Sequence, residues 1–402
     1  MKITVGLFFG GSSVEHEVSI ISALQALPRF DQNKYAVLPI YITRDHAFYT
    51  GEAAGRLEEY RDIPALLKKS TRVLPAREGD RVCLLPYGRF GLKTKPLAVL
   101  DLAFPVVHGT NVEDGALQGY FRTLGLPFAG SDVGPSAVGM DKYAQKLLYA
   151  ASGLPVLPAL RFRAEEDRAA MIERITARIP FPLIVKPLDQ GSSVGIRLVR
   201  DADGLDEALD YAFSFSPRVV VEKAVQPLRE LNCAVLGDSE EAEASEVEEP
   251  VMGDEILSYR DKYEGGAKGE GSKGMSGLSR LLPAPISPEL REKVRTLAVR
   301  AFRALDLSGV ARIDFLMNAE TEELYINEVN TIPGSLSFYL WEPVGLSYTA
   351  LLDRMVSLAL KRERQRASFR SEIETGILKN FSGGAKGAKG TKGAKGTKGT
   401  KG

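Results

Sequence analysis

Residues 309–334 read GVARIDFLMNAETEELYINEVNTIPG. In the first part Ala311, Ile313, Phe315 and Met317 alternate with Val310, Arg312, Asp314 and Leu316. That spacing predicts a strand with one buried face. A polar turn from Asn318 to Glu322 leads to a second run, LYINEVN. On a regular strand Leu324, Ile326, Glu328 and Asn330 share a face. Pairing the two runs as a hairpin lays Arg312 and Asp314 beside Glu328 and Asn330. Two carboxylates, an amide oxygen and a guanidinium converging on one surface suit an oxygen-coordinated Mg²⁺ held together with a polyphosphate. A solvated hairpin with its charges facing water has the same pattern.

Around this hairpin lies a chain of 402 residues, long enough for two or three domains and a sizeable core. Fifty-two basic residues balance fifty-two acidic ones, so no global field draws the protein to nucleic acid or to an anionic membrane. Its lysines are unevenly placed, and many sit in the last twenty residues. Two cysteines, Cys83 and Cys233, sit in apolar runs and read as buried thiols in a reducing compartment, with a single disulfide as the alternative. The opening residues read directly as a strand and suggest no signal peptide. The longest apolar run, Leu97 to Val107, is interrupted by Asp101 and is too short to span a bilayer. A soluble, cytoplasmic protein is expected.

Upstream, KITVGLFF (2–9) predicts a buried strand, the turn Gly10-Gly11-Ser12-Ser13 breaks it, and a helix follows from Glu15. A helix start after a glycine turn presents free N–H groups to an anion. Glu15 there is either a functional carboxylate or one merely favoured by the helix dipole. YAVLPIYI (35–42) is the next strand, and Ala53 to Thr94 shows short strands and turns at best. LAVLDLAFPVVHG reads as one buried strand ending at His108, at the carboxyl edge where open α/β sheets place ligands. A second unit starts near Ser131. Its helix opens at Met140-Asp141-Lys142 and stops at Gly153, with Pro155 beyond. FPLIVKP (181–187) is a strand carrying Lys186, and DQGSSVG (189–195) reads as a small-residue flap able to close over phosphate, or as an ordinary hairpin tip. It is not a Walker loop, since Lys186 precedes the glycines. VVVEK (219–223) and LNCAVL (231–236) read as adjacent strands, and the acidic run Asp238 to Glu249 as a solvated hairpin end. Residues 258–279 form a long polar loop of the kind that makes a lid. A helix starts at Pro288 after Ser287, and another amphipathic helix spans about 348–362. Beyond Lys379 the chain degenerates into GGAKGAKGTKGAKGTKGTKG (383–402), which has no apolar residue larger than alanine with which to order itself.

Read in order, GGSSVEHEVS (10–19), HGTNVEDGALQG (108–119), MDK (140–142), IVKP…GSSVG (184–195), VEK (221–223), DKY (261–263), ARIDF (311–315) and NEVNTIPG (327–334) resemble the D-alanine–D-alanine ligases of the ATP-grasp superfamily, over residues 1 to about 362. The resemblance implies an α/β architecture, an ATP-grasp fold with α+β subdomains behind an N-terminal open α/β (Rossmann-like) domain. Its divisions are 1–130 for substrate, 131–222 and 223–378 for the two ATP-grasp subdomains with lid 258–279, and a disordered tail 379–402. It further implies ATP, two Mg²⁺ (or Mn²⁺) ions, D-alanine as substrate, a homodimer and a role in peptidoglycan precursor synthesis. By resemblance, Lys142 and Lys186 face the phosphates, while Glu222, Lys223, Val225, Glu230 and Lys262 complete the nucleotide site. Asp314, Glu328 and Asn330 resemble metal ligands. Glu15 resembles the group on the first D-alanine's ammonium, linked to Ser192 and Tyr263, and His108 lies in the substrate segment. Arg312 and the Gly334 N–H correspond to oxyanion donors. Tyr339 and Leu340 stand where the family often has Ser-Leu against the second substrate. That departure keeps open a ligase taking D-serine or D-lactate second, or a different ATP-grasp carboxylate–amine ligase; a non-catalytic nucleotide-binding or interaction protein docked by its basic tail is a further alternative.

Overall fold

The computed structural model describes residues 2–88, 95–191, 194–251 and 280–369. The lid 258–279 and the tail 379–402 lie outside these residues. Residues 1–363 form one compact unit and 364–402 a second.

Among the described residues, three sheets organise the first unit. The first contains β1 (Ile3–Gly10), β2 (Tyr35–Ile42), β3 (Phe48–Thr50), β4 (Thr71–Glu78), β5 (Arg81–Pro86), β6 (Ala98–Leu100) and β7 (Leu102–Pro105), in the order β6-β5-β4-β3-β2-β1-β7. Only β2, β1 and β7 run parallel; the remaining pairings are antiparallel. The expected single strand through residues 97–107 is therefore two, broken at Asp101. The Asp101 carboxylate accepts the Thr4 N–H at 2.8 Å, and its own N–H donates to Thr4 O. Because β6 and β7 adjoin in sequence yet end the sheet on opposite sides, the sheet must curl back on itself. The poorly patterned stretch 53–94 supplies the β4–β5 hairpin and a short helix, α2 (Ile63–Lys69), after α1 (His16–Ala26). Both β4 and β5 carry exposed charged residues at the ends that meet in their turn, which blurs the alternation a sequence reading relies on.

After α3 (Ala116–Leu124), α4 (Val133–Met140) and α5 (Lys142–Ala151), the second sheet comprises β8 (Ala159–Arg163), β9 (Leu183–Pro187), β10 (Arg197–Val199) and β11 (Arg218–Lys223), in the order β10-β9-β11-β8. Helices α6 (Arg168–Arg178) and α7 (Leu205–Phe213) pack against it, sharing a core with Met171, Ile175, Leu205 and Leu209. The third sheet runs β14 (Arg280–Leu281), β13 (Ala242–Pro250), β12 (Leu228–Gly237), β15 (Gly309–Asn318), β16 (Leu324–Asn330). So β11 and β12, expected side by side, belong to different sheets. The acidic run is also not all hairpin end. Its turn covers Asp238 to Glu241, and residues 242–250 are a strand on which Glu248 is only 3% exposed.

Helix α8 (Pro288–Ala304) starts where the sequence places it, with Ser287 Oγ accepting the Leu290 N–H at 3.1 Å. Its Val294, Ala298, Ala301 and Phe302 share a core with Ile313 and Phe315 of β15. Each such fully buried large side chain contributes about 1.5–3 kcal/mol. Helix α9 (Tyr348–Ala367) follows. Both cysteines are buried and free. Among the described residues, no helix is long and apolar enough to cross a membrane.

Candidate active site

The opening hairpin forms with one departure that makes the site. In β15–β16, Arg312 faces Asn330 and Asp314 faces Glu328, but Phe315 faces Ile326, leaving Asn327 as an extra residue. This bulge shifts the pleat by one position. Leu324 and Ile326 turn into the core with Val329, while Glu328 and Asn330 turn to the opposite face beside Arg312 and Asp314. A regular strand would have put all four β16 residues on one face. The bulge residue itself has a task, since Asn327 Oδ1 accepts from Lys186 Nζ at 3.2 Å.

On that face Arg312 grips Asp314 with two parallel bonds, Nε to Oδ1 at 2.6 Å and an Nη to Oδ2 at 2.7 Å. Asn330 Nδ2 donates to Asp314 Oδ2 at 2.9 Å, which leaves the Asn330 carbonyl oxygen as an acceptor. Burial works against the Arg312 charge, but Asp314 outweighs it, so the guanidinium is held firmly charged. The four residues line a cleft together with Glu15, His108, Lys142, Glu230, Gly334 and Tyr339. Oxygen donors only, two of them anionic, fit a hard divalent cation; no group of three or more His, Cys, Asp or Glu side chains with metal-binding geometry occurs among the described residues.

The lysines come next. Asp141 caps α5 by accepting from the Tyr143 and Ala144 N–H groups, which aims Lys142, the first helical residue, into the cleft. Lys142 Nζ donates to Gln190 O at 2.5 Å and lies 3.6 Å from Glu328 Oε2. Lys186, on the central strand β9, donates to Glu222 Oε1 at 2.5 Å. A third ammonium, Lys146 Nζ, stands 2.9 Å from Glu222 Oε2. Burial alone would raise the Glu222 carboxyl; Lys146 and Lys186 overcome it and hold it down to about 2.

At the other end, Gly10 makes the turn into α1, where a Cβ would lie 2.3 Å from Ile42 O. Glu15 follows this turn. Its carboxylate lies so close to Gly191 that a Cβ there would be 2.7 Å from Oε2. The small-residue segment thus starts against Glu15. His108 is buried, and burial, outweighing the pull of Glu15, lowers its pKa and leaves a neutral imidazole. Its Nε2 lies 3.3 Å from Ser22 Oγ, which also accepts the Ser335 N–H at 2.9 Å. Ser335, Leu336 and Ser337 all have φ near +50°, a conformation that costs about 1–2 kcal/mol per residue without glycine. Ser22, the Ser335 Oγ bond to Gln25 at 2.6 Å, and the fully buried Leu336 hold the turn in place. Tyr339 then lines the cleft, donating to Glu248 Oε1 at 3.0 Å beneath the Arg280 guanidinium. Asn232 donates to the same Glu248 oxygen at 3.1 Å.

Beside His108, Glu113 accepts from the Gly109 and Ile332 N–H groups and from Thr331 Oγ1. Burial, helped by the Glu15 charge, raises its carboxyl to about 7. A raised acid favours folding while it is protonated, and that advantage is lost as pH rises from its ordinary value of 4.5 through about 7. Glu113→Gln is expected to flatten this loss, by about 1–3 kcal/mol between pH 5 and 8. Thermal melts of both proteins across that range measure it; parallel curves would refute it.

The structure therefore brings Glu15, His108, Lys142, Glu230, Arg312, Asp314, Glu328, Asn330, Gly334 and Tyr339 to one cleft. Lys186 and Glu222 are buried as a pair, Val225 is half-buried, and Lys223 is exposed on the exit from β11. Leu340 belongs to the N-terminal core, fully buried, and not to the cleft wall where a substrate contact was expected. Ser192, Lys262 and Tyr263 lie outside the described residues. Sequence reading missed Lys146, Glu113, Glu248 and Ser22. Lys146 follows Lys142 by one helical turn, a readable signal; Glu248 is hidden in an acidic run with the look of a solvated turn.

A cleft lined by Lys142 at the start of α5, by Glu15 and His108 beside the seven-stranded sheet, and by Arg312, Asp314, Glu328 and Asn330 of the five-stranded sheet, in a chain of this architecture, is that of the ATP-grasp class. Residues 4–131 match the family model for the D-ala D-ala ligase N-terminus, and residues 148–357 that for the D-ala D-ala ligase C-terminus. The chain is 36% identical over 377 residues to the D-alanine–D-alanine ligase of Thermosipho melanesiensis, covering 94% of this chain and 98% of that protein. To D-alanine–D-alanine ligase A of Escherichia coli K12 it is 37% identical over 369 residues, 90% and 96% of the two chains. Among solved structures, the D-alanine-D-alanine ligase from Coxiella burnetii superposes with a TM-score of 0.75 at 28% identity, covering 91% and 96%. The VanG D-Ala:D-Ser ligase from Enterococcus faecalis gives 0.75 at 32%, covering 89% and 100%. The chain belongs to the D-alanine–D-alanine ligase family.

Proposed function

We propose that this protein uses ATP to join two D-alanines into D-alanyl-D-alanine through a D-alanyl phosphate, supplying a peptidoglycan precursor in the cytoplasm. The observation that carries this reading is the Arg312–Asp314–Asn330–Glu328 face, set across one cleft from Glu15. Further parts of the proposal are a homodimer, no membrane or nucleic-acid partner, and functional divisions at 1–130, 131–222 and 223–378.

Glu15 binds the ammonium of the first D-alanine and sets its carboxylate toward the hairpin face, with neutral His108 beside it. Lys142 and Lys186 take up charge on the phosphates as the substrate carboxylate bonds to the γ-phosphorus and the bridging P–O bond breaks, releasing ADP. Asp314, Glu328 and Asn330 would hold Mg²⁺ or Mn²⁺, in the family's case two ions, which when bound neutralises charge on the phosphoryl oxygens. The second D-alanine's amine then attacks the acyl carbon. Arg312 and the Gly334 N–H stabilise the tetrahedral oxyanion, and phosphate leaves. Ser192 and Tyr263 are proposed to join Glu15, with the 258–279 lid excluding water from the acyl phosphate. Glu230 is proposed for the ribose, and Glu222, Lys223, Val225 and Lys262 for the rest of the nucleotide.

A second reading, with D-serine or D-lactate as the second substrate, is favoured by one observation. The wall that would meet that substrate carries Tyr339 bonded to a buried Glu248 under Arg280. Purified protein with ATP and Mg²⁺ is expected to release phosphate only on addition of D-alanine, with the dipeptide seen by mass spectrometry. Turnover on an unrelated carboxylate and none on D-alanine would defeat the proposal. A mixed product formed in preference to the D-alanine dimer would select the second reading.

A further inference from the structure

We propose that Lys146 is a positioning residue for nucleotide binding: it keeps the Glu222 carboxylate paired when Lys186 leaves it for the nucleotide phosphates. The inference rests on the reading of Lys186 as a phosphate ligand.

Glu222 is 1% exposed and sits between two ammonium groups, Lys186 at 2.5 Å on one oxygen and Lys146 at 2.9 Å on the other. Lys186 is shared, since it also donates to Asn327 Oδ1 on the bulge next to Glu328. From there a short swing takes it to phosphates bound at the hairpin face. Lys146 is 3% exposed, rises from the second turn of α5 and reaches only the second Glu222 oxygen at close range, with Glu328 a further carboxylate acting on it. The difference decides their roles. A buried carboxylate stripped of its only counter-ion is strongly disfavoured, so with Lys186 as sole partner, Glu222 would compete with the phosphates for it. A second, fixed ammonium removes that competition.

The test is MgADP binding by calorimetry to the full-length protein, with steady-state constants for ATP and D-alanine. Lys146→Met is expected to weaken MgADP binding and raise the ATP KM by about tenfold or more, with the D-alanine KM within about twofold. Lys146→Arg, which keeps the charge, should bind within about threefold of the parent protein. Glu222→Gln alone removes whatever the carboxylate itself gives the nucleotide, so the pair is read as a cycle: Lys146→Met should cost clearly less binding against a Glu222→Gln background than in the parent protein, because nothing then holds Lys186 back. A merely structural lysine would show no such coupling.

The inference is overturned if Lys146→Met binds MgADP within about threefold of the parent, or if Lys146→Met costs as much against Glu222→Gln as it does in the parent. Should Lys146→Met fail to fold, Lys146→Arg decides alone: near-parental binding supports the inference and a loss of about tenfold overturns it. Failure of the parent protein itself to bind MgADP would overturn the nucleotide reading and this inference with it. Binding by the parent with an unaffected Lys146→Met overturns the inference alone.

Discussion

Asp314→Asn is expected to lower D-alanine-dependent phosphate release by about a thousandfold or more while the melting temperature moves little. Neutralising one anionic oxygen ligand removes several kcal/mol of stabilisation of transition-state charge, and each 1.36 kcal/mol is about tenfold in rate. The fold should survive because the Asp314 side chain sits on the cleft face of β15, opposite the Ile313–Phe315 core. The change also loosens the two-bond grip on Arg312. Mn²⁺ binding, followed by electron paramagnetic resonance in the presence of ADP, gives a second readout. Weak activity with normal Mn²⁺ uptake would place the loss at Arg312, and near-parental activity would remove Asp314 from the metal site.

Arg312→Met is expected to lower kcat by about a hundred- to a thousandfold, the usual cost of losing one oxyanion donor. The effect should fall on kcat, with the ATP KM little changed, since the charge it meets develops only during amine attack. Arg312→Lys should not restore the rate. A lysine cannot reproduce the planar fork that holds Asp314 with two N–H groups and still has others to donate at the cleft wall. Single-turnover experiments separate the steps: ADP formation persisting while dipeptide formation fails would assign Arg312 to the second half-reaction. A rate within about threefold of the parent would end its assignment as an oxyanion donor.

Much of this site is legible in the sequence itself. Alternation places Arg312 and Asp314 on one face of a strand and Ser287-Pro288 marks a helix start, while Glu15, His108, Lys142 and Lys186 are singled out by the resemblance of the ordered motifs to a family. The first two are local signals, set by the period of side chains along an element and by which residues tolerate a turn or a cap. Faces and starts follow from such periods directly.

Three features are decided only by tertiary structure. The bulge at Asn327 is invisible in LYINEVN, because an extra residue is defined against its partner strand. Glu248 reads as solvated within an acidic run, yet Asn232, Tyr339 and Arg280 from distant segments enclose it. Lys146, Lys186 and Glu222 come from a helix and two strands that are neighbours only once the four-stranded sheet is built. A sequence specifies which charges are available along each element; which of them end up buried together depends on long-range packing, and burial is what turns an ordinary ion pair into a constrained one.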